Sequence, residues 1–244
     1  MPRFYVDLPL TLNTKLELPD SVVRHMNVLR LRVGDTVAFF NGDGCDYTAN
    51  ISQLGKRQAE VNISECEKLD NESNLRITLM PSLIASDKFD LIIQKAVELG
   101  VSEIIPVISQ YTQRLSSDKI SSRMEHWHKI IIASCEQSAR ATIPRLSAPI
   151  LFHDALLAVN NAEGKYILSP HHEQQQFLAQ VPISSVAVLV GPEGGFSLSE
   201  VEEAQAHGFS TLQLGTRILR AETAAICIMA LCQSYFGDIH LIQK

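Results

Sequence analysis

Apolar and polar residues alternate with a period of two through much of the first seventy positions. Thr36 to Phe40 is a short apolar run, Asn41-Gly42-Asp43-Gly44 is a strong hairpin signal, and residues 46–54 alternate. Gly55-Lys56 turns the chain into residues 58–66, where Ala59, Val61 and Ile63 share one side. Residues 21–29 carry a helical period, with Asp20 placed to cap them. This pattern predicts a small β-barrel decorated by one helix over residues 1–70. Polar residues 67–74 follow as a linker.

From Leu75 the period switches back and forth. Strands are predicted at 76–80, 103–108, 146–152, 165–168, 186–190 and 211–214. Helices are predicted at 88–99 (stopped by Gly100), 121–139, 154–159, 199–207 and 224–236. Such alternation indicates an α/β domain over 75–244, with a mainly parallel sheet covered by helices on both faces. The last helix is apolar nearly all round, which predicts burial on more than one face.

Two loops in this half follow apolar strands and run into helices, the place where open α/β sheets bind ligands. The first is Gly191-Pro192-Glu193-Gly194-Gly195-Phe196. Its glycines allow a tight turn and close approach of backbone to a ligand. It matches neither the P-loop nor the dinucleotide fingerprint, and Glu193 would repel a phosphate, so an uncharged or cationic ligand suits it. The plainer alternative is a tight turn followed by a helix whose capping box is Ser199 and Glu202. The second loop, residues 214–224, interleaves Arg217, Arg220 and Glu222 with Ile218 and Leu219. Charges at the mouth of an apolar helix are costly unless paired or engaged with a ligand. Two readings stand: an Arg220–Glu222 ion pair, or a functional arginine and carboxylate beside an apolar floor.

Composition narrows the class. The chain has 244 residues, 45% of them hydrophobic, and no apolar run of transmembrane length. Its start lacks a signal-peptide core, which predicts a cytoplasmic location and no membrane partner. Five cysteines without metal-ligand spacing read as reduced, mostly buried residues. His126 and His128 point to different helix faces and His171-His172 lacks metal-pair spacing, so no metal is expected. A formal net charge of −6 opposes nucleic-acid binding unless cations are gathered locally. Arg24, His25, Arg30 and Arg32 form one such candidate patch, with Arg3 as a possible neighbour; a solvated helix face is the plainer reading.

The whole chain resembles the SPOUT-superfamily methyltransferases that modify N3 of a uridine in small-subunit ribosomal RNA. The resemblance rests on Pro2-Arg3-Phe4-Tyr5, on His25 with Val28-Leu29-Arg30, and on Ile93-Gln94-Lys95-Ala96-Val97-Glu98-Leu99-Gly100-Val101. It continues through Trp127, Ala133-Ser134-Cys135-Glu136-Gln137-Ser138-Ala139-Arg140 and Pro144 to the two loops. One departure is Ala221, where the family commonly has Thr. The resemblance implies a SPOUT-type parallel sheet with a deep trefoil knot, a PUA-like N-terminal RNA-binding barrel, and a homodimer. It implies S-adenosylmethionine as cofactor and 16S ribosomal RNA, in the assembled small subunit, as partner.

The site residues implied by the resemblance follow the same segments. Leu168, Pro170, Gly191, Pro192, Glu193, Gly194 and Gly195 would bind the cofactor together with Leu214, Gly215, Ile218, Leu219, Arg220, Ala221, Thr223 and Ala224. Arg3, Phe4, Arg24, His25 and Arg30 would bind RNA. Arg220, Glu222, Arg140 and Gln137 are the catalytic candidates. Uridine N3 is a poor nucleophile until its imide proton leaves, so the chemistry needs alignment, a proton acceptor, and a cation near O2 and O4. Glu222 is either that acceptor or a group orienting Arg220. Two other classes compete with this reading. One is a non-catalytic RNA-binding or ribosome-assembly factor, and the other is an α/β enzyme acting on a nucleotide-like metabolite.

Overall fold

The computed structural model describes residues 1–112, 117–169 and 182–240. The chain divides into two compact units, Met1–Glu72 with Ile132–Ile143, and Ser73–Ile131 with Pro144–Lys244. Sequence periodicity assigned 132–143 to the α/β half. A helical pattern shows that a helix continues but not which core receives it.

In the first unit, strands β1 (Arg3–Tyr5), β2 (Lys15–Glu17), β3 (Thr36–Phe40), β4 (Cys45–Leu54) and β5 (Ala59–Lys68) form one sheet in the order β1-β3-β4-β5-β2. The β1–β3 pair is parallel and the other pairs are antiparallel. Two register shifts, at Thr48/Ala49 and Ile51/Gln53, interrupt the long β4–β5 ladder, and such bulges bend a strand. Alternate residues Val37, Phe39, Ala49, Ile51, Val61 and Ile63 pack with Phe4 and with Val22, Val23 and Met26 of helix α1 (Asp20–Val28) in a single core. Asp20 is not the cap. Pro19 holds that position without a side-chain bond, and Asp20 sits in the first turn, 3.0 Å from Arg24. Proline's fixed φ suits the entrance of a helix, which displaces the expected cap by one residue.

The second unit is a six-stranded, wholly parallel sheet. Its strands are β6 (Arg76–Pro81), β7 (Glu103–Ile104), β9 (Arg145–Leu146), β11 (Gly164–Leu168), β12 (Ser185–Val190) and β13 (Ser210–Leu212), in the order β13-β11-β12-β6-β7-β9. Val186 through Val190 are all buried, as expected for a parallel strand covered on both faces. The helices are α2 (Ser86–Glu98), α3 (Ser117–Ser138), α4 (Phe152–Ala158), α5 (Leu198–Ala206) and α6 (Ala221–Phe236). Gln233 of α6, fully buried, donates to the Leu99 carbonyl at 3.0 Å and accepts from the Ser73 hydroxyl at 2.7 Å.

Two predicted strands are each split. Pro106 separates β7 from β8 (Val107–Ile108), and Pro149 separates β9 from β10 (Ile150–Leu151); β8 and β10 pair with each other in a second small sheet. Proline has no N–H for a ladder, so each run changes partner there. Helix α6 starts three residues earlier than periodicity suggested, which brings Glu222 and Thr223 into its first turn.

Candidate functional site

Strands β13, β11 and β12 are neighbours in the sheet and point the same way, so the three loops leaving them emerge together. Between these loops lies a cavity of about 430 Å³, within the range typical of small-molecule sites. Leu168 and Ser169 line it from the end of β11, Val190 and residues 191–196 from β12, and Leu212 and Gln213 from β13. Leu214, Arg217, Ile218, Leu219 and Arg220 continue the wall, and Ala221 and Ala224 of α6 complete it.

The glycine loop is built for two purposes at once. Gly195 has φ +70, a left-handed backbone that disfavours any side chain, and its N–H closes a turn on the Pro192 carbonyl at 2.9 Å. A Cβ on Gly191 would stand 3.2 Å from the Gly195 carbonyl carbon and from the Phe196 ring, and one on Gly194 would stand 3.3 Å from Tyr111 Cβ. The loop then enters α5 through a capping box made by Ser197 and Glu200. The expected box, Ser199 with Glu202, is two residues too late. Both pairs satisfy the same i, i+3 spacing, and only the path of the preceding turn selects between them. Glu200 is buried, and its carboxylate also accepts from the Gln110 N–H at 2.7 Å, tying the segment after β8 to the glycine loop.

Glu193 lies in the wall and pairs with Lys88 at 3.0 Å. Hydrogen bonds from its own backbone N–H and from Lys88 hold its carboxyl below the ordinary glutamate range. Its folded-state pKa is depressed, so the stabilisation this gives is present above the ordinary range and fades as pH falls through the lowered value. Arg220 caps α6 in extended backbone and is exposed, as is Arg217. No ion pair joins Arg220 to Glu222 among the described residues, so the simple ion-pair reading of this loop is not what the structure holds. Glu222 is half-buried, outside the cavity wall, and its Oε2 is buried without a hydrogen-bond partner.

Most of the expected cofactor residues meet at this cavity. Gly215 and Thr223 do not line it, and Pro170 lies outside the described residues, as do His171 and His172. Ser169, Val190, Leu212 and Gln213 line it without having been expected. Each stands at a strand's last position or just beyond, a signal that was available once the strand ends were placed.

Other expectations are corrected. Phe4 is 1% exposed in the core of the first unit and has no face for a base. Arg3 is also inside: its guanidinium bonds the Asp46 carboxylate at 2.7 to 2.9 Å and the Cys135 carbonyl at 2.7 Å, and lies 3.9 Å from the Phe40 ring centroid. A cation so engaged is not available to phosphate. Arg140 makes a two-point contact with Glu72, at 2.9 and 2.6 Å, which already offsets its charge. Gln137 is exposed, and both residues belong to the first unit while the cavity belongs to the second. Arg24, His25 and Arg30 are exposed. Among the described residues there is no His, Cys, Asp and Glu cluster fit to hold a metal, and no helix is long and apolar enough to cross a membrane.

The model of the RNA methyltransferase domain family matches residues 71–233, and that of the RNA methyltransferase PUA domain matches residues 18–64. The chain is 32% identical over 243 residues to the ribosomal RNA small subunit methyltransferase E of Buchnera aphidicola subsp. Schizaphis graminum, covering 98% of each. It is 34% identical over 237 residues to the enzyme of that name from Rickettsia conorii, covering 93% of each. The crystal structure of the Neisseria gonorrhoeae ribosomal RNA small subunit methyltransferase E, bound to S-adenosylmethionine, superposes with a TM-score of 0.92 at 38% identity. That match covers 98% of this chain and 100% of the other. With the cavity at its three strand ends and the family model spanning most of its length, the chain belongs to the RNA methyltransferase family.

Proposed function

We infer that this chain transfers a methyl group from S-adenosylmethionine to N3 of a uridine in 16S ribosomal RNA of the small subunit. The observation that carries this is the cavity at the ends of β11, β12 and β13, with Arg220 in its wall. The residues present fit the cofactor. Aliphatic walls from Leu168, Val190, Leu212, Leu214 and Leu219 suit an adenine, and the glycine loop offers backbone at close range. The ionised Glu193 suits a sulfonium cation, and Arg217 and Arg220 suit a carboxylate. When bound, S-adenosylmethionine supplies an electrophilic methyl group.

The protein's own work is to place that methyl against N3, exclude water from the cavity and manage the imide proton. Arg220 offsets the negative charge that spreads onto the uracil oxygens as the proton leaves. Of the carboxylates at the site, Glu193 is the poorer acceptor because its hydrogen bonds favour the ionised form. Glu222, with an unpartnered oxygen directly after the arginine's helix-start position, is the better one. The same reading includes the trefoil knot, the homodimer, and action in the cytoplasm on the assembled subunit.

The test is thermal unfolding with S-adenosylmethionine, followed by mass spectrometry of 16S ribosomal RNA incubated with the protein. A cofactor at one hundred times its Kd stabilises the folded state by about 2.7 kcal/mol, a shift of several degrees. No shift would favour an RNA-binding assembly factor. Methylation at a position other than uridine N3 would overturn the assigned atom.

A further inference from the structure

In the first unit, the end of α1 and the turn after it form a surface that the cavity and its chemistry do not use. The helix closes with the Arg30 N–H bonded to the Asn27 carbonyl at 3.0 Å and the Leu31 N–H bonded to the Met26 carbonyl at 3.1 Å. That is the Schellman closure, whose left-handed position is normally filled by glycine. Here Arg30 fills it, with φ 58. An arginine held in left-handed backbone is less favourable than glycine would be, and such strain is retained where the side chain is needed. Its neighbours are equally unusual: Val28 is 77% exposed, Leu29 46% and Val33 60%. Asn27 Nδ2 donates to the Gly55 carbonyl at 3.0 Å, which fixes the exposed Lys56-Arg57 turn beside this helix. Residues 20–35 and 55–57 together carry five Lys and Arg (Arg24, Arg30, Arg32, Lys56, Arg57) against Asp20 and Asp35, in a chain of net charge −6.

We propose that this aliphatic tip, set among cations, is a contact surface for unpaired RNA, with phosphates on the arginines and lysine and base faces against Val28, Leu29 and Val33. The charge selects a polyanion. The apolar tip selects bases outside a helical stack, because a duplex buries their faces and offers phosphate and groove edges instead. This inference rests on RNA being the substrate and adds which form of RNA the first unit engages, and how.

The full-length protein is titrated by fluorescence anisotropy into a twenty-nucleotide single-stranded oligoribonucleotide without self-complementarity, and into the same sequence annealed as a duplex, at several salt concentrations. The single strand should bind more tightly. Val28→Ser with Leu29→Ser should weaken single-strand binding by about tenfold, leave its salt slope unchanged and remove the preference over duplex. Lys56→Gln with Arg57→Gln should weaken both RNAs and reduce the single-strand salt slope by about 1.4, which is two contacts at about 0.7 each. Arg30→Gly should weaken binding severalfold while raising Tm by about 2 °C, a pairing of effects that a purely structural role does not produce. Single-strand binding at the wild-type level in the Val28 and Leu29 variant would overturn the proposal and assign the tip to a protein partner. Unchanged RNA affinity in Arg30→Gly, or equal affinity of the wild type for both RNAs, would also overturn it. Loss of cofactor binding or of methyl transfer, with these RNA results intact, would strike the catalytic reading alone.

Discussion

Glu222 keeps one carboxylate oxygen buried without a partner, a state that costs on the order of 1–3 kcal/mol. In a proton acceptor that oxygen is held ready for its proton. In a group that orients Arg220, an ion pair between the two should be present, and among the described residues none joins them. If Glu222 accepts the N3 proton, Glu222→Gln is nearly inactive at neutral pH and recovers as pH rises, because hydroxide then removes the proton. Arg220→Ala should lower turnover on the order of a hundredfold and leave cofactor affinity nearly intact, since the lost contact is made chiefly in the transition state. Single-turnover methyl transfer over a pH series reads both variants. A pH-independent defect in Glu222→Gln assigns the carboxylate to positioning, and near-normal turnover in Arg220→Ala removes the arginine from the chemistry.

Among the elements, α5 shows how the site is held. Its buried Glu200 accepts from the N–H groups of Ser197 and Gln110, so one carboxylate anchors both the entry from the glycine loop and the segment after β8. Glu200→Ala leaves two N–H groups unsatisfied and removes a capping box, and should cost about 2–4 kcal/mol in chemical denaturation. The cofactor Kd should rise in the same variant, because the loop from Gly191 to Phe196 loses its fixed end. A loss of stability with an unchanged Kd would show that the glycine loop holds its shape without α5. The cap was legible in the sequence as a spacing and misplaced by two residues. Ser197/Glu200 and Ser199/Glu202 are locally equivalent, and the Pro192–Gly195 turn decides between them.

At the scale of the molecule, α6 remains only partly covered by its own chain. Ala225, Ile228, Met229 and Cys232 are buried, while Leu231 is 38% and Tyr235 58% exposed. An apolar helix with one face in its own core and another open supports the homodimer reading. Light scattering at micromolar concentration should give twice the 27.0 kDa chain mass. Leu231→Asp with Tyr235→Asp should shift the mass toward the monomer, because burying carboxylates in an apolar contact is costly. A monomer mass for the unaltered protein would end that reading.

Local physics determined a good deal by itself. The switch from period two to alternating β and α segments placed the two architectures, since it reflects which faces must be buried. The uninterrupted apolar run at Val186–Val190 marked a strand covered on both faces, and the glycines and charges after it marked a ligand loop. Tertiary structure decided what depends on partners distant in sequence. Only the strand order β13-β11-β12 brings Leu168, Gly191 and Leu214 to one cavity, and no local pattern encodes which strands are neighbours. Arg3, Phe4 and Arg140 read as functional in one dimension because their types suit RNA or an anion. Asp46, the first unit's core and Glu72 claim them in three. A residue's type states what it can bind, and the partners brought to it by the fold decide what it does bind.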